Sequence, residues 1–122
     1  MRQSAFPGLM VAWLLAVPGW CGEPAATEVD VTGEIVDLHC YLTRGAKGAD
    51  HAGCANACLG RGVTPALLAK DGRLLMLLGE RPFPIKEMIA GLAGEDVTVT
   101  GAMVQRDGLR ALLVKSVRKA GR

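Results

Sequence analysis

Aromatic side chains are scarce in this chain: two Trp, one Tyr and two Phe make up 4% of its 122 residues. Phe6, Trp13 and Trp20 all precede Cys21, which leaves Tyr41 and Phe83 for the rest. A groove for single-stranded nucleic acid needs aromatic platforms along a basic track. Neither is present, because the formal charge is only +2 and the two signs are interspersed. C-x-x-C is missing, and with it the C-x-x-C-H haem attachment and the thioredoxin-type redox motif. No glycine loop with a following lysine offers a phosphate cradle. Two histidines and scattered acids give no hydrolytic triad. The apolar run Leu9–Val17 is nine residues long, well short of the roughly 20 that span a bilayer.

What is present suits one globular domain. Half of the residues are hydrophobic, and the length fits a single core. Arg2, the apolar run and the break at Pro18-Gly19 follow the plan of a secretory signal peptide, expected over residues 1–21. The chain is therefore expected to be exported, to a periplasm or an equivalent compartment. Contact with a membrane is expected only if Cys21 is lipidated. Export means an oxidising environment. With Cys21 cleaved or lipidated, Cys40, Cys54 and Cys58 remain, and three thiols cannot all pair within one chain.

After a flexible lead-in at 22–28, Val29 and Val31 alternate with polar residues at strand period. Beyond Gly33 the apolar parity shifts to Val36 and Leu38, which suggests a β-bulge at that glycine. Residues 39–62 form a glycine-rich insert carrying the thiols. A loop is expected from Thr43 to Asp50, then a helix from about His51 to Leu59, capped by Asp50 and stopped by Gly60. Asp71-Gly72 between two apolar runs predicts a hairpin, and Asp107-Gly108 predicts another. Ile85, Met88, Ile89 and Leu92 repeat at helical spacing, with Pro84 at the start and Gly94 at the stop. The pattern V-x-V-T-G-x-x-V occurs at 29–36 and again at 97–104. Two similarly bent strands explain this echo better than a duplication does. The basic tail, 119–122, is expected to fray.

The order β, insert, β, β, helix, β, β predicts a mainly β fold: a small five-stranded OB-like Greek-key barrel over 29–118. One helix lies between strands 3 and 4, and a Cys/His-bearing helical insert lies between strands 1 and 2. The first strand should pair with the fourth, and a glycine in each permits the sharp bend.

On a helix, His51, Cys54 and Cys58 fall at about 0°, 300° and 340°, one face about 60° wide, while Asn56 at about 140° points away. Cys40 is expected to close the first strand, where the insert leaves the barrel. If the helix packs back over that strand end, Cys40, His51, Cys54 and Cys58 become a Cys3His set, a soft sphere suited to a copper or zinc ion. A d10 ion would also shield an odd number of thiolates. Asp37 and His39 share the strand face opposite Cys40 and are candidates to orient a ligand from outside, or simply to end a strand in solvent. Tyr41 would shield the site. Met76, Met88 and Met103 fit core patterns rather than thioether ligation.

Two other readings stay open. A disulfide from Cys40 to Cys54 or Cys58 would staple the insert, worth about 3 kcal/mol for a loop of this size, and would leave a binding module for a protein or small ligand. Cys54 and Cys58 could instead cycle with Cys40 as a thiol-redox pair, the one enzymatic reading with support. Under the metal reading no catalysis is expected, and the partner is an exported protein that donates or accepts the ion.

Asp37, Cys40, His51, Cys54, Ala55 and Cys58 spell D-x-x-C followed by H-x2-C-A-x2-C. In this the chain resembles short exported bacterial OB-fold-like proteins, over roughly residues 29–117. The resemblance implies the barrel and says nothing further about activity.

Overall fold

A computed structural model describes residues 26–121; the leader expected at 1–21, with Cys21, lies outside them. Five strands, β1 (Glu28–Asp37), β2 (Pro65–Ala69), β3 (Leu74–Gly79), β4 (Asp96–Arg106) and β5 (Leu109–Lys119), close into a barrel in the order β1-β2-β3-β5-β4. β3 and β5 run parallel and the other pairs antiparallel. This is the OB-like barrel expected from the element order, with β1 against β4.

β1 serves two neighbours. Residues 28–34 pair with β4 and 33–37 pair with β2, so Gly33 stands where the strand changes partners. A Cβ there would lie 2.3 Å from the Leu68 carbonyl oxygen, which reserves the position for glycine. The bulge expected at Gly33 is absent: pairing on both sides stays in register, and Val31, Gly33, Ile35 and Asp37 are all buried. The apparent parity shift arises because Val36 is covered on the other face as well. The register shift instead falls between Thr100 and Gly101 of β4, where a Cβ on Gly101 would sit 2.3 Å from the Leu113 oxygen. Both hairpins form as expected. Gly72 turns β2 into β3 with φ 86°, and Asp107 and Gly108 turn β4 into β5 with φ 49° and 84°, the pair of positive values a type I′ turn requires.

The core is built from Val31, Ile35, Leu67, Leu75, Leu77, Val97, Val99, Leu112 and Val114, joined by Ile85, Ile89 and Ala93 from the β3–β4 connection. Full burial of each large aliphatic side chain contributes about 1.5–3 kcal/mol. The expected 84–92 helix shrinks to one turn, α3 (Lys86–Ile89). Ala90 turns to ψ 125° and Gly91 takes φ 74°, so the chain leaves the helix before Leu92. The periodic residues bury as a cap on the core without needing a longer helix. At the C-terminus Lys119 still pairs with Val97, and the Ala120 N–H donates to the Asp96 oxygen. Pairing thus reaches into the stretch expected to fray.

Between β1 and β2 the insert holds α1 (Leu38–Arg44), a 3-10 turn (Ala49–His51) and α2 (Ala52–Gly60). The loop expected from Thr43 is therefore only partly a loop. Asp50 makes no side-chain cap, and α2 runs through Gly60 before Gly62 takes the left-handed turn at φ 98°. Ala55 and Leu59 of α2 enter the barrel core.

Candidate metal centre

The centre starts at the end of β1. Asp37 sits on the inward side of the strand and is fully buried. The strand stops here because the Asp37 side chain accepts the Cys40 backbone N–H at 2.7 Å and so caps α1. Gly45, at φ 66°, closes the other end by donating to the Cys40 and Tyr41 carbonyls. Cys40 consequently lies in the first turn of a helix and not at a strand end, and His39 and Asp37 do not share a strand face. His39 is exposed and lies outside both donor groups described below. Tyr41 is half-buried and lines a surface hollow with Glu34, Lys47 and Lys70.

The second Asp37 oxygen is 3.0 Å from His51 Nε2. One carboxylate thus ties the start of α1 to the turn that begins α2. When Nε2 carries the proton and donates it to Asp37, Nδ1 keeps a free lone pair, the arrangement that orients a metal-binding imidazole. Burial pushes the Asp37 carboxyl up, but the Cys40 N–H and the His51 ring outweigh it and hold it below its ordinary value.

Three further contacts seat the insert on the barrel. The Glu34 side chain accepts the Gly48 N–H. Asn56 accepts from the Ala93 N–H at 3.2 Å and donates to the Ala52 oxygen at 2.9 Å, so the side expected to point away from the thiols grips the barrel. Gly94, at φ 78°, leaves room for α2: a Cβ there would stand 2.7 Å from the Ala52 Cβ.

This scaffold brings distant residues together. The Cys40 sulfur, a His51 ring nitrogen and the Cys54 sulfur lie within 4.8 Å of one another, and so do an Asp37 oxygen and the sulfurs of Cys40 and Cys58. Cys40 belongs to both groups, and Cys54 and Cys58 lie one turn apart on α2. Burial pushes the Cys58 thiol up, and the adjoining Cys54 sulfur pushes it further. Cys40, Cys54 and Cys58 are free thiols. The four expected donors, Cys40, His51, Cys54 and Cys58, form a cluster that can hold a metal ion.

Asp37, expected to orient a ligand from outside, does more than that, and Arg44 went unread in the sequence. Asp37 touches Cys40 and His51 directly and is itself in reach of an ion. Arg44 donates from Nη2 to the Cys40 sulfur at 2.8 Å, and that bond leads the effects that raise its own proton affinity. Both had a signal. Asp37 stands three residues before Cys40, as a helix cap does, and Arg44 stands four after it, one turn along the same helix.

No family model, curated protein or solved structure matches the chain. Fold and site define its class: a closed five-stranded barrel whose first connection carries a Cys/His cluster able to take a metal.

Proposed function

We propose that this is an exported protein that binds a soft metal ion, copper or zinc, through Cys40, His51, Cys54 and Cys58, and stores it, senses it or hands it to another exported protein. One observation carries the reading. Cys40, remote in sequence, lies within 4.8 Å of His51 and Cys54 in one group and of Cys58 in the other. Thiolates held about 2.3 Å from a tetrahedral Zn2+ sit nearly 4 Å from each other, so side-chain adjustments bring such spacings to bonding range. Three sulfurs and an imidazole favour Zn2+ or Cu+ over hard ions. The leader-like start supports export, and the resemblance to short exported OB-fold-like proteins agrees with it. Elemental analysis of protein purified under reducing, chelator-free conditions tests the reading. About one equivalent of copper or zinc per chain is expected, with all three thiols becoming reactive after a chelator is added; no bound metal and unchanged thiol reactivity would refute it.

The free-thiol chemistry favours a second reading, a thiol-redox or disulfide-stapled module. Its observation is three free sulfurs gathered at one place, with the Arg44 guanidinium donating to Cys40, a setting for thiol–disulfide exchange. A thiol count of one, with or without chelator, would select it.

A further inference from the structure

The donors differ sharply in how they are held. Cys40 is 4% exposed, its sulfur takes a hydrogen bond from Arg44, and its backbone is capped by Asp37. His51 is fixed by the buried Asp37 carboxylate. Cys58 is half-buried, one residue before Leu59 of the core. Cys54 alone of the four is exposed. Its surroundings are open: a Cβ on neighbouring Gly53 would meet nothing within 4 Å, and Ala57, one turn on, is exposed as well.

Ligand exchange at a d10 ion proceeds by adding one donor and losing another. The incoming group needs access, and the departing group needs freedom to swing out. Both conditions fall on Cys54. We propose that Cys54 is the exchange ligand of this site and that its partner is a protein presenting a cysteine thiolate. This rests on the metal reading above. In the step, the partner's thiolate forms a bond to the ion as the Cys54–metal bond breaks. The electron pair of that bond stays on the Cys54 sulfur, which leaves as a thiolate, and no oxidation state changes. Cys40, His51 and Cys58 keep the ion throughout, so it is never released to water. A dithiol partner then completes transfer by displacing the remaining ligands in turn, with Cys40, the most enclosed, last.

Substoichiometric alkylation of Zn2+-loaded protein with N-ethylmaleimide, followed by native and peptide mass spectrometry, reads the order directly. Cys54 is expected to react at least tenfold faster than Cys40 or Cys58, and the singly alkylated protein is expected to retain its ion. Cys54→Ser should still take up one Zn2+ and should pass it to glutathione faster than wild type, because a position is already open. First alkylation at Cys40 or Cys58 of loaded wild type, or loss of the ion with the first alkylation at Cys54, overturns this proposal and leaves metal binding standing. Wild type that takes up no Zn2+ or Cu+ overturns both.

Discussion

Asp37 concentrates more of the site than any thiol does, because its two oxygens set the positions of Cys40 and His51 separately. Asp37→Asn keeps an oxygen for the Cys40 N–H but presents at most a neutral partner to His51. Its metal affinity is expected to fall by about ten- to a hundredfold, the usual cost of losing such an outer carboxylate, in a competition titration against a chromogenic chelator. Unchanged affinity would mean that His51 needs no orientation. The same carboxylate has a pH signature in metal-free, reduced protein. Its folded value lies below the ordinary one, so the unfolded chain binds the extra proton and stability rises with pH. That contribution is complete above the unfolded value, about 3.9, and disappears as pH falls from there through the folded value. Urea midpoints measured across that window should slope for wild type and flatten for Asp37→Asn. In the sequence, Asp37 and His39 looked alike, two polar residues at the end of a strand. Only the start of α1 separates them, burying one and exposing the other.

At the scale of elements, strands and turns were legible because their signals are local. Asp-Gly pairs and alternating valines act within a few residues, and β1 to β5 appear where they were expected. The helices were less so. α1 was hidden because Leu38-His-Cys-Tyr-Leu-Thr-Arg44 follows directly on a strand, without a loop to mark the change. Its cap and its stop, Asp37 and Gly45, were both in view. For α3 the apolar period was real, but Gly91 and the packing of Ile85 and Ile89 on the barrel ended the helix early. The side of α2 opposite its cysteines decides where the thiols sit. Asn56 and Gly94 hold that side to the barrel. Gly94→Ala forces a Cβ against Ala52 at a positive φ, which costs about 1–3 kcal/mol in overpacking. Denaturant unfolding should show that loss, and metal affinity should fall with it, because Cys54 and Cys58 move away from Cys40. Asn56→Ala leaves the Ala93 N–H without its partner, at about 1–3 kcal/mol if it stays dry, and should weaken binding in the same direction. Either variant with wild-type affinity would show that α2 is held by its buried Ala55 and Leu59 alone.

Over the whole molecule, barrel and Cys/His cluster are separable in a way the sequence did not reveal. An odd cysteine count in a glycine-rich insert left open whether the thiols held the fold together. In the structure none of the four donors belongs to the barrel's core cluster; α2 reaches that core through Ala55 and Leu59, on either side of Cys58. Small zinc modules that lack such a core unfold without their ion. Here the ion should add to a fold that already exists. At a free concentration a hundredfold above its dissociation constant, binding contributes about 2.7 kcal/mol, which in a domain of this size raises Tm by about 10–20 °C. Chelated, reduced wild type should therefore melt cooperatively at a lower temperature while keeping amide protection in β1 to β5. Lost protection should be confined to the segment from α1 through α2. Cys40→Ser, which removes the sulfur shared by both donor groups, should melt where the chelated protein does, with or without added Zn2+. Strands that lose protection as soon as the chelator is added would make the ion part of the folding core, and the barrel would then not be the independent platform that Val31, Ile35, Leu67 and their neighbours build.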